Sequence, residues 1–217
     1  MKVFIVLRPM EPQERIVQKA HELFMHYGIR SVSMDEIASN LGISKKTIYQ
    51  FFADKDALVE AVVNIEINAN EEECGHFRDK SENPVHEFFL AMDMVDDMLK
   101  IMNPMLFYDL QKYHPSAFRK FEEHQNVFLY RVVKENLERG VQEEIYRADI
   151  NIPLLSRFRL ATIFLIFNPD IFPLRKNNLG EVLREITLNF LYGIATPKGQ
   201  KLIQKYNQKT NKINPHE

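Results

Sequence analysis

Residues 33–55 read SMDEIASNLGISKKTIYQFFADK. Ser33-Met34-Asp35-Glu36 has the spacing of a capping box, in which the Ser33 hydroxyl accepts from the N–H three residues on and Glu36 reaches back. The pattern predicts a short helix over 34–41 with Ile37, Ala38 and Leu41 inward. Gly42 stops that helix, Ile43 packs, and Ser44 caps a second short helix over 45–52. Asp54 caps a longer one over 55–72, with Leu58, Val59, Val62, Ile65 and Ile67 at helical spacing. Two short helices joined through Leu41-Gly42-Ile43-Ser44 form a helix-turn-helix pattern. In that motif the second helix enters a DNA major groove, its N-terminal residues first.

The chemistry of the second helix suits that task. Ser44, Lys45, Lys46 and Thr47 gather donors and positive charge at a helix N-terminus, where backbone N–H groups also favour phosphate. Tyr49 follows about one turn later and its hydroxyl can donate to phosphate. Lys55 opens the next helix. Ile48 and Phe52, four apart, face inward and fix the helix to its domain. On pattern alone a second reading stands, two packed helices with a solvated Lys-Lys end.

Working outward, residues 13–27 place Ile16, Val17, Ala20, Leu23 and Phe24 at helical spacing, and Gly28 ends that helix. Beyond Pro84, Phe88, Met92, Val95, Leu99 and Met102 alternate steps of four and three along a helix over 85–102. Pro104 and Pro115 bracket a short helix with Leu106, Phe107 and Leu110. A long helix over 116–139 carries Phe118, Phe121, Phe128 and Val132 and is expected to stop at Gly140. Residues 141–150 connect to helices over 152–167, 181–195 and 199–206, with a Pro/Asn/Gly loop at 169–180 and a polar, disordered tail after them. No run alternates as strands do, so the expected class is all-α.

Composition agrees. With 45% hydrophobic residues in 217 the chain can bury a core, which excludes overall disorder, and seven Gly and ten Pro are few for a turn-rich β protein. A single cysteine excludes a disulfide scaffold and any CxxC site. No apolar run reaches the length of a membrane span, and a cytoplasmic location is expected. The start, MKVFIVLRPM, has too short an apolar run for a secretory leader and no small-residue cleavage site. Met10 is an alternative start, and residues 1–9 carry no functional reading. The net charge of −2 hides an asymmetry: residues 61–100 hold three Lys/Arg against ten Asp/Glu. That block repels nucleic acid, so DNA contact must come from a small local patch.

Residues 13–60 closely resemble the DNA-binding domain of the TetR family of bacterial transcriptional regulators. The resemblance rests on Ile16, Ala20 and Phe24-x-x-x-Gly28, on Ser33-x-x-x-Ile37-Ala38-x-x-Leu41-Gly42-Ile43-Ser44, and on Thr47-Ile48-Tyr49-x-x-Phe52-x-x-Lys55-x-x-Leu58. Leu191-Tyr192-Gly193-Ile194 is similar to the family's last bundle helix. The resemblance implies phosphate contacts from Ser33, Tyr49 and Lys55, and groove contacts from Lys45, Lys46, Thr47 and Gln50, with Ser44 beside them. Met34 and Asp35 depart from it, since some members carry polar or basic residues there that contact DNA. It implies a DNA-binding domain at 10–57, a ligand-binding and dimerisation domain at 58–206 and a tail at 207–217. The partners implied are double-stranded operator DNA, a small-molecule effector and a second copy of the chain, with no membrane and no cofactor. Recognition helices about 34 Å apart would then meet a palindrome. The dimer residues expected are Leu155, Phe158, Thr162, Ile166, Leu183, Thr187 and Leu191, although such residues can equally fill the monomer core. The Met- and Phe-rich middle, where such regulators usually hold an effector, suggests a pocket of Met92, Met98, Met102, Phe107, Tyr108, Phe121, His124, Gln125 and Phe128.

Catalytic signatures are missing: there is no GxGxxG, Walker loop or GxSxG. His21-Glu22-x-x-x-His26 approximates a zinc motif, but five residues set the imidazoles about 140° apart around a helix, so they cannot share a metal. Glu87, Asp93, Asp96 and Asp97 read as a solvated acidic face. Cys74 has Glu71 to Glu73 as neighbours, which raise a thiol pKa and discourage oxidation. The expected function is a non-enzymatic repressor released from its operator by a largely apolar effector. The alternative is a helical ligand-binding protein or enzyme with an idle DNA-binding head.

Overall fold

A computed structural model describes residues 10–168, 170–173 and 177–213, and the regular elements among these residues are helical. The one bridge recorded pairs Tyr146 with Ala195, antiparallel, outside any strand. The chain divides into two compact units.

The first unit comprises the described residues up to Glu66 together with Met105–Lys120. Helix α1 spans Pro12–Tyr27, with proline in its first turn, and stops where the Gly28 N–H donates to the Phe24 carbonyl at 2.9 Å. Helix α2 spans Met34–Leu41. The Glu36 N–H donates to Ser33 Oγ at 3.2 Å and the Ser33 N–H donates to Glu36 Oε2 at 2.6 Å, so the capping box forms. Gly42 ends α2 at φ +66°, a left-handed conformation that a Cβ would strain. Helix α3 is shorter than expected, Lys45–Tyr49. Its last turn tightens, the Phe51 N–H donating to the Ile48 carbonyl three residues back at 3.0 Å.

Helix α4 spans Lys55–Lys80, with Asp54 Oδ1 accepting from the Ala57 N–H at 2.8 Å. It runs past residue 72 because the polar stretch beyond carries no proline and Gly75 alone does not stop a helix. Ile16, Val17, Ala20, Phe24, Ile37, Ile48, Phe52, Leu58 and Val59 form the core, joined by Met34. Ile65, expected inward, is exposed. Each fully buried aliphatic or aromatic side chain contributes about 1.5–3 kcal/mol.

The sequence boundary at 57/58 does not coincide with this unit. Helix α6, Leu106–Tyr113, and the start of helix α7, Pro115–His124, belong to it. Leu110 and Ala117 join its core, the Arg30 N–H donates to buried Asp109 Oδ2 at 2.9 Å, and His114 Nδ1 lies 2.6 Å from Asp56 Oδ1. These ties span 58 to 79 residues, beyond the reach of any local pattern.

The second unit holds the rest of α4, helix α5 (Pro84–Ile101), the end of α7, a π-turn at Gln125–Leu129 and helices α8 (Tyr130–Gln142), α9 (Ile152–Leu165), α10 (Leu179–Ile194) and α11 (Pro197–Ile213). Asn83, Asn151 and Asn178 cap α5, α9 and α10. Val85, Phe88, Phe89, Met92, Leu137, Tyr146, Leu160, Leu183, Leu191 and Ile203 build its core.

The π-turn interrupts the expected 116–139 helix and shifts its phase, so Val133 and not Val132 is buried beyond it. Gly140 does not stop that helix. It lies buried within α8, where an added Cβ would meet the Tyr146 ring at 2.0 Å. Helix α11 continues past 206, so the expected disorder does not hold for 207–213, and residues 214–217 lie outside the described residues. So do residues 1–9 and, within the loop placed at 169–180, residues 169 and 174–176. That loop ends where α10 begins at Leu179.

Candidate functional site

The α2-turn-α3 segment presents most of the groove-facing residues expected from the sequence. Ser44 Oγ accepts from the Thr47 N–H at 3.1 Å and pairs with Thr47 Oγ1 at 2.9 Å, so these two hydroxyls set the start of α3. Lys46 and Gln50 are exposed, and Tyr49 is 44% exposed. Among the described residues, no hydrogen bond or ion pair is recorded for these three side chains. Ile48, fully buried, anchors the helix beneath them.

Three expected contacts are already engaged. Ser33 Oγ donates to Glu36 Oε2 at 2.9 Å, and these Ser33 hydrogen bonds hold the Glu36 carboxyl below its ordinary pKa. Lys45 Nζ lies 2.7 Å from Asp35 Oδ2, which raises the lysine pKa. Asp35 is therefore neutralised across the turn, by a partner ten residues away that no spacing rule points to. Lys55 departs from the presented set. Its Nζ donates to the carbonyls of Ile29 at 2.6 Å and Val32 at 2.5 Å, tying the α1–α2 connection to the start of α4. Partial burial lowers its pKa.

The nine pocket residues are not brought together in one unit. Phe107 and Tyr108 lie on α6 in the first, and the other seven lie in the second. Tyr108 is exposed, its hydroxyl accepting from Lys112 Nζ at 2.6 Å. Met92 and Met102 are buried and Met98 is half-buried. Phe121 meets Phe164 edge-on at 5.2 Å. His124 is buried, stacked on Phe128 at 5.2 Å, with Nε2 3.0 Å from Asn70 Oδ1 and Nδ1 3.3 Å from Glu71 Oε1. Burial outweighs Glu71 and lowers its pKa, favouring the neutral ring. Gln125 opens the π-turn and is half-buried. Burial, with nearby carboxylates, pushes the Cys74 thiol up to about 11, so it is unreactive at neutral pH.

Four of the seven dimer residues need correction. Ile166, Leu183, Thr187 and Leu191 are fully buried within a single chain. Both faces of these helices carry apolar residues, so spacing alone does not separate inward from outward. The outward face has Phe158, 52% exposed, with Leu154, Leu165 and Tyr192 exposed and Leu155 and Thr162 half-buried. Glu185, Ile186, Leu188, Asn189 and Tyr192 line a depression of about 480 Å³ on α10.

Sequence reading missed the polar groups inside the second unit. Glu87, read from the sequence as part of a solvated acidic face, is instead buried but satisfied, hydrogen-bonded by Asn136 Nδ2 at 2.9 Å and paired with Arg139. Arg159 on α9 is 3% exposed and has no such partner among the described residues. Its Nη2 donates to Thr187 Oγ1 at 2.9 Å, while among the described residues Nε and Nη1 have no acceptor. The guanidinium carbon lies 5.5 Å from the Phe88 ring and 5.6 Å from the Phe190 ring. Ring contacts, at about 2 kcal/mol each when desolvated, offset only part of the cost. Burying the ion costs several kcal/mol, and each orphaned donor about 1–3 kcal/mol. Burial lowers its pKa to about 9, which leaves it charged at neutral pH. Among the described residues no group of three or more His, Cys, Asp or Glu could hold a metal ion, and no helix is long and apolar enough to cross a membrane.

Residues 16–62 match the family described as bacterial regulatory proteins, tetR family. An uncharacterized HTH-type transcriptional regulator of Bacillus subtilis strain 168, YvaF, is 27% identical over 187 residues, covering 84% of this chain and 95% of the relative. A TetR-family regulator from Agrobacterium tumefaciens superimposes with a TM-score of 0.70 at 17% identity, covering 85% of this chain and 97% of that one. A TetR-family repressor from Thermus thermophilus, FadR, in complex with lauroyl-CoA, does so at 0.55 and 22% identity, covering 85% and 95%. Likenesses at this identity establish the fold.

Proposed function

We propose that this chain, a TetR-family transcriptional regulator, is a repressor that binds palindromic operator DNA as a homodimer and releases it on binding a small effector. The observation that carries the reading is the capped, buried-anchored α3 with Lys46, Tyr49 and Gln50 exposed at its surface. Lys46 and Tyr49 would hold phosphates and Gln50 would reach a base edge, where a glutamine pairs bidentately with adenine. Lys45 would exchange Asp35 for phosphate. The exposed face of Leu154, Phe158, Leu165 and Tyr192 is the dimer surface in this reading.

Residues of α4 lie in both units, Lys55–Glu66 in the first and Ile67–Lys80 in the second. In the proposed mechanism an effector held in the second unit displaces α4 and changes the separation of the two recognition helices. Release follows only if the effector binds the DNA-incompetent arrangement more tightly. The Thermus thermophilus neighbour's complex with lauroyl-CoA supports small-molecule control.

Selection from randomised duplex DNA tests the reading, with the Lys46→Ala/Tyr49→Phe variant alongside. The wild type is expected to enrich a palindrome and the variant to enrich none while keeping its helical content and oligomeric state. No enrichment by the wild type at low salt, where phosphate contacts are strongest, would favour the ligand-binding protein with an idle head.

A further inference from the structure

The second unit contains two arginines beside buried polar chemistry, and they are treated differently. Arg139 is paired with the buried Glu87 carboxylate. Arg159, more deeply buried, faces Thr187, Phe88 and Phe190 and, among the described residues, no carboxylate. Glu87, the buried carboxylate of this unit, is held by Arg139 and Asn136. Among the described residues, the one N–H on Nε and the two on Nη1 have no acceptor inside a protein core. A charge so placed calls for an anion.

We infer that Arg159 is the anchor for an organic monocarboxylate with an apolar body, the carboxylate on the free N–H groups and the body against Phe88, Phe190 and their neighbours. This rests on the proposed effector-controlled regulator and names the chemical class of its effector. Carboxylate is favoured over phosphate by charge balance, since one guanidinium neutralises one negative charge and the nearby Arg139 is already occupied. The aromatic surroundings favour an apolar remainder. A ligand-free core holding an unpaired cation is a strained state that such a ligand relieves. Binding therefore favours an altered packing of α5, α9 and α10, the helices that carry Phe88, Arg159 and Thr187.

The test uses the full chain without DNA, so its outcome is independent of operator binding. Thermal melts are recorded with hexanoate, dodecanoate, benzoate and 2-naphthoate, each against its neutral primary amide. At least one acid is expected to raise the melting temperature by about 5 °C at saturation and to bind about 30-fold tighter than its amide. Arg159→Met is expected to melt, ligand-free, no lower than the wild type, because it removes an unpaired buried charge, and to lose the acid response. Arg159→Lys is expected to keep a weaker preference for acid over amide. The inference is overturned if no acid stabilises the protein, if amides match acids, or if Arg159→Met still responds to the acid. It is equally overturned if Arg159→Met melts well below the wild type or fails to fold, since the arginine would then be structural, and if Arg159→Lys shows no preference. Acid binding without any selected DNA would overturn the regulator reading and leave this one standing.

Discussion

The helix caps of the first unit and the buried polar groups of the second are satisfied over different distances along the chain. At the caps the partners are neighbours: Ser33 with Glu36, Ser44 with Thr47, Asp54 with Ala57, each three residues apart. In the second unit they are remote: Asn136 with Pro84, Arg139 with Glu87, Asn83 with Tyr206, 52 to 123 residues apart. Local satisfaction builds short helices whose outer face stays open, with Lys46, Tyr49 and Gln50 exposed on it. Remote satisfaction builds an interior in which Arg159 is left without an acceptor for Nε and Nη1 among the described residues.

Breaking a remote pair should cost most. Arg139→Met leaves Glu87 buried without its cation and is expected to lose about 3–5 kcal/mol of unfolding free energy, read by urea denaturation. If the variant keeps wild-type stability, the remote network is not what holds the second unit. Gly140→Ala drives a Cβ into the Tyr146 ring and should cost about 1–3 kcal/mol. Combining it with Tyr146→Leu should recover part of that loss, a coupling that a double-mutant cycle detects.

Local ties should cost less. Ser33→Ala removes one cap and is expected to lower stability by about 1 kcal/mol. Lys46→Ala should leave the melting curve unchanged and flatten the salt dependence of DNA binding by about one unit of slope. A histidine in each unit sharpens the contrast further, with opposite pH signatures. His21, 2.7 Å from Glu66, has a raised pKa, so its contribution is fully present below about pH 6.5 and fades as pH rises through the folded value. His124 has a lowered pKa, so its contribution is present above about pH 6.5 and is lost as pH falls through the folded value. Stability profiles of His21→Gln and His124→Gln between pH 5 and 8 should therefore deviate from wild type in opposite directions.

The same difference in range decides what the sequence reveals. Capping boxes, Gly42 and the spacing of Ile48 and Phe52 are local, so α1 to α3 and the exposed Lys46, Tyr49 and Gln50 are read directly from the string. The Asp35–Lys45 pair was missed because it crosses a turn between two helices. The carbonyls that hold Lys55 belong to a loop 23 to 26 residues earlier. Placing α6 in the first unit depends on Asp109 reaching Arg30, and the inward turn of Leu183, Thr187 and Leu191 depends on which helices they meet. Arg159 carried no signal at all, because nothing in a sequence distinguishes an arginine in water from one in a core.

The π-turn at Gln125–Leu129 has a consequence for insertions and deletions. A wide turn of this kind holds one residue more than a regular α-turn, and the chain tolerates the surplus between two helical stretches. Removing a single residue there would let α7 and α8 wind as one continuous α-helix. Because the wide turn absorbs the surplus residue, the stretches on either side would stay in phase. The same deletion within regular α8 would instead rotate everything beyond it by about 100°. The segment is thus the place where this helix can lose a residue, and a one-residue deletion at 125–129 should disturb the second unit less than the same deletion within α8.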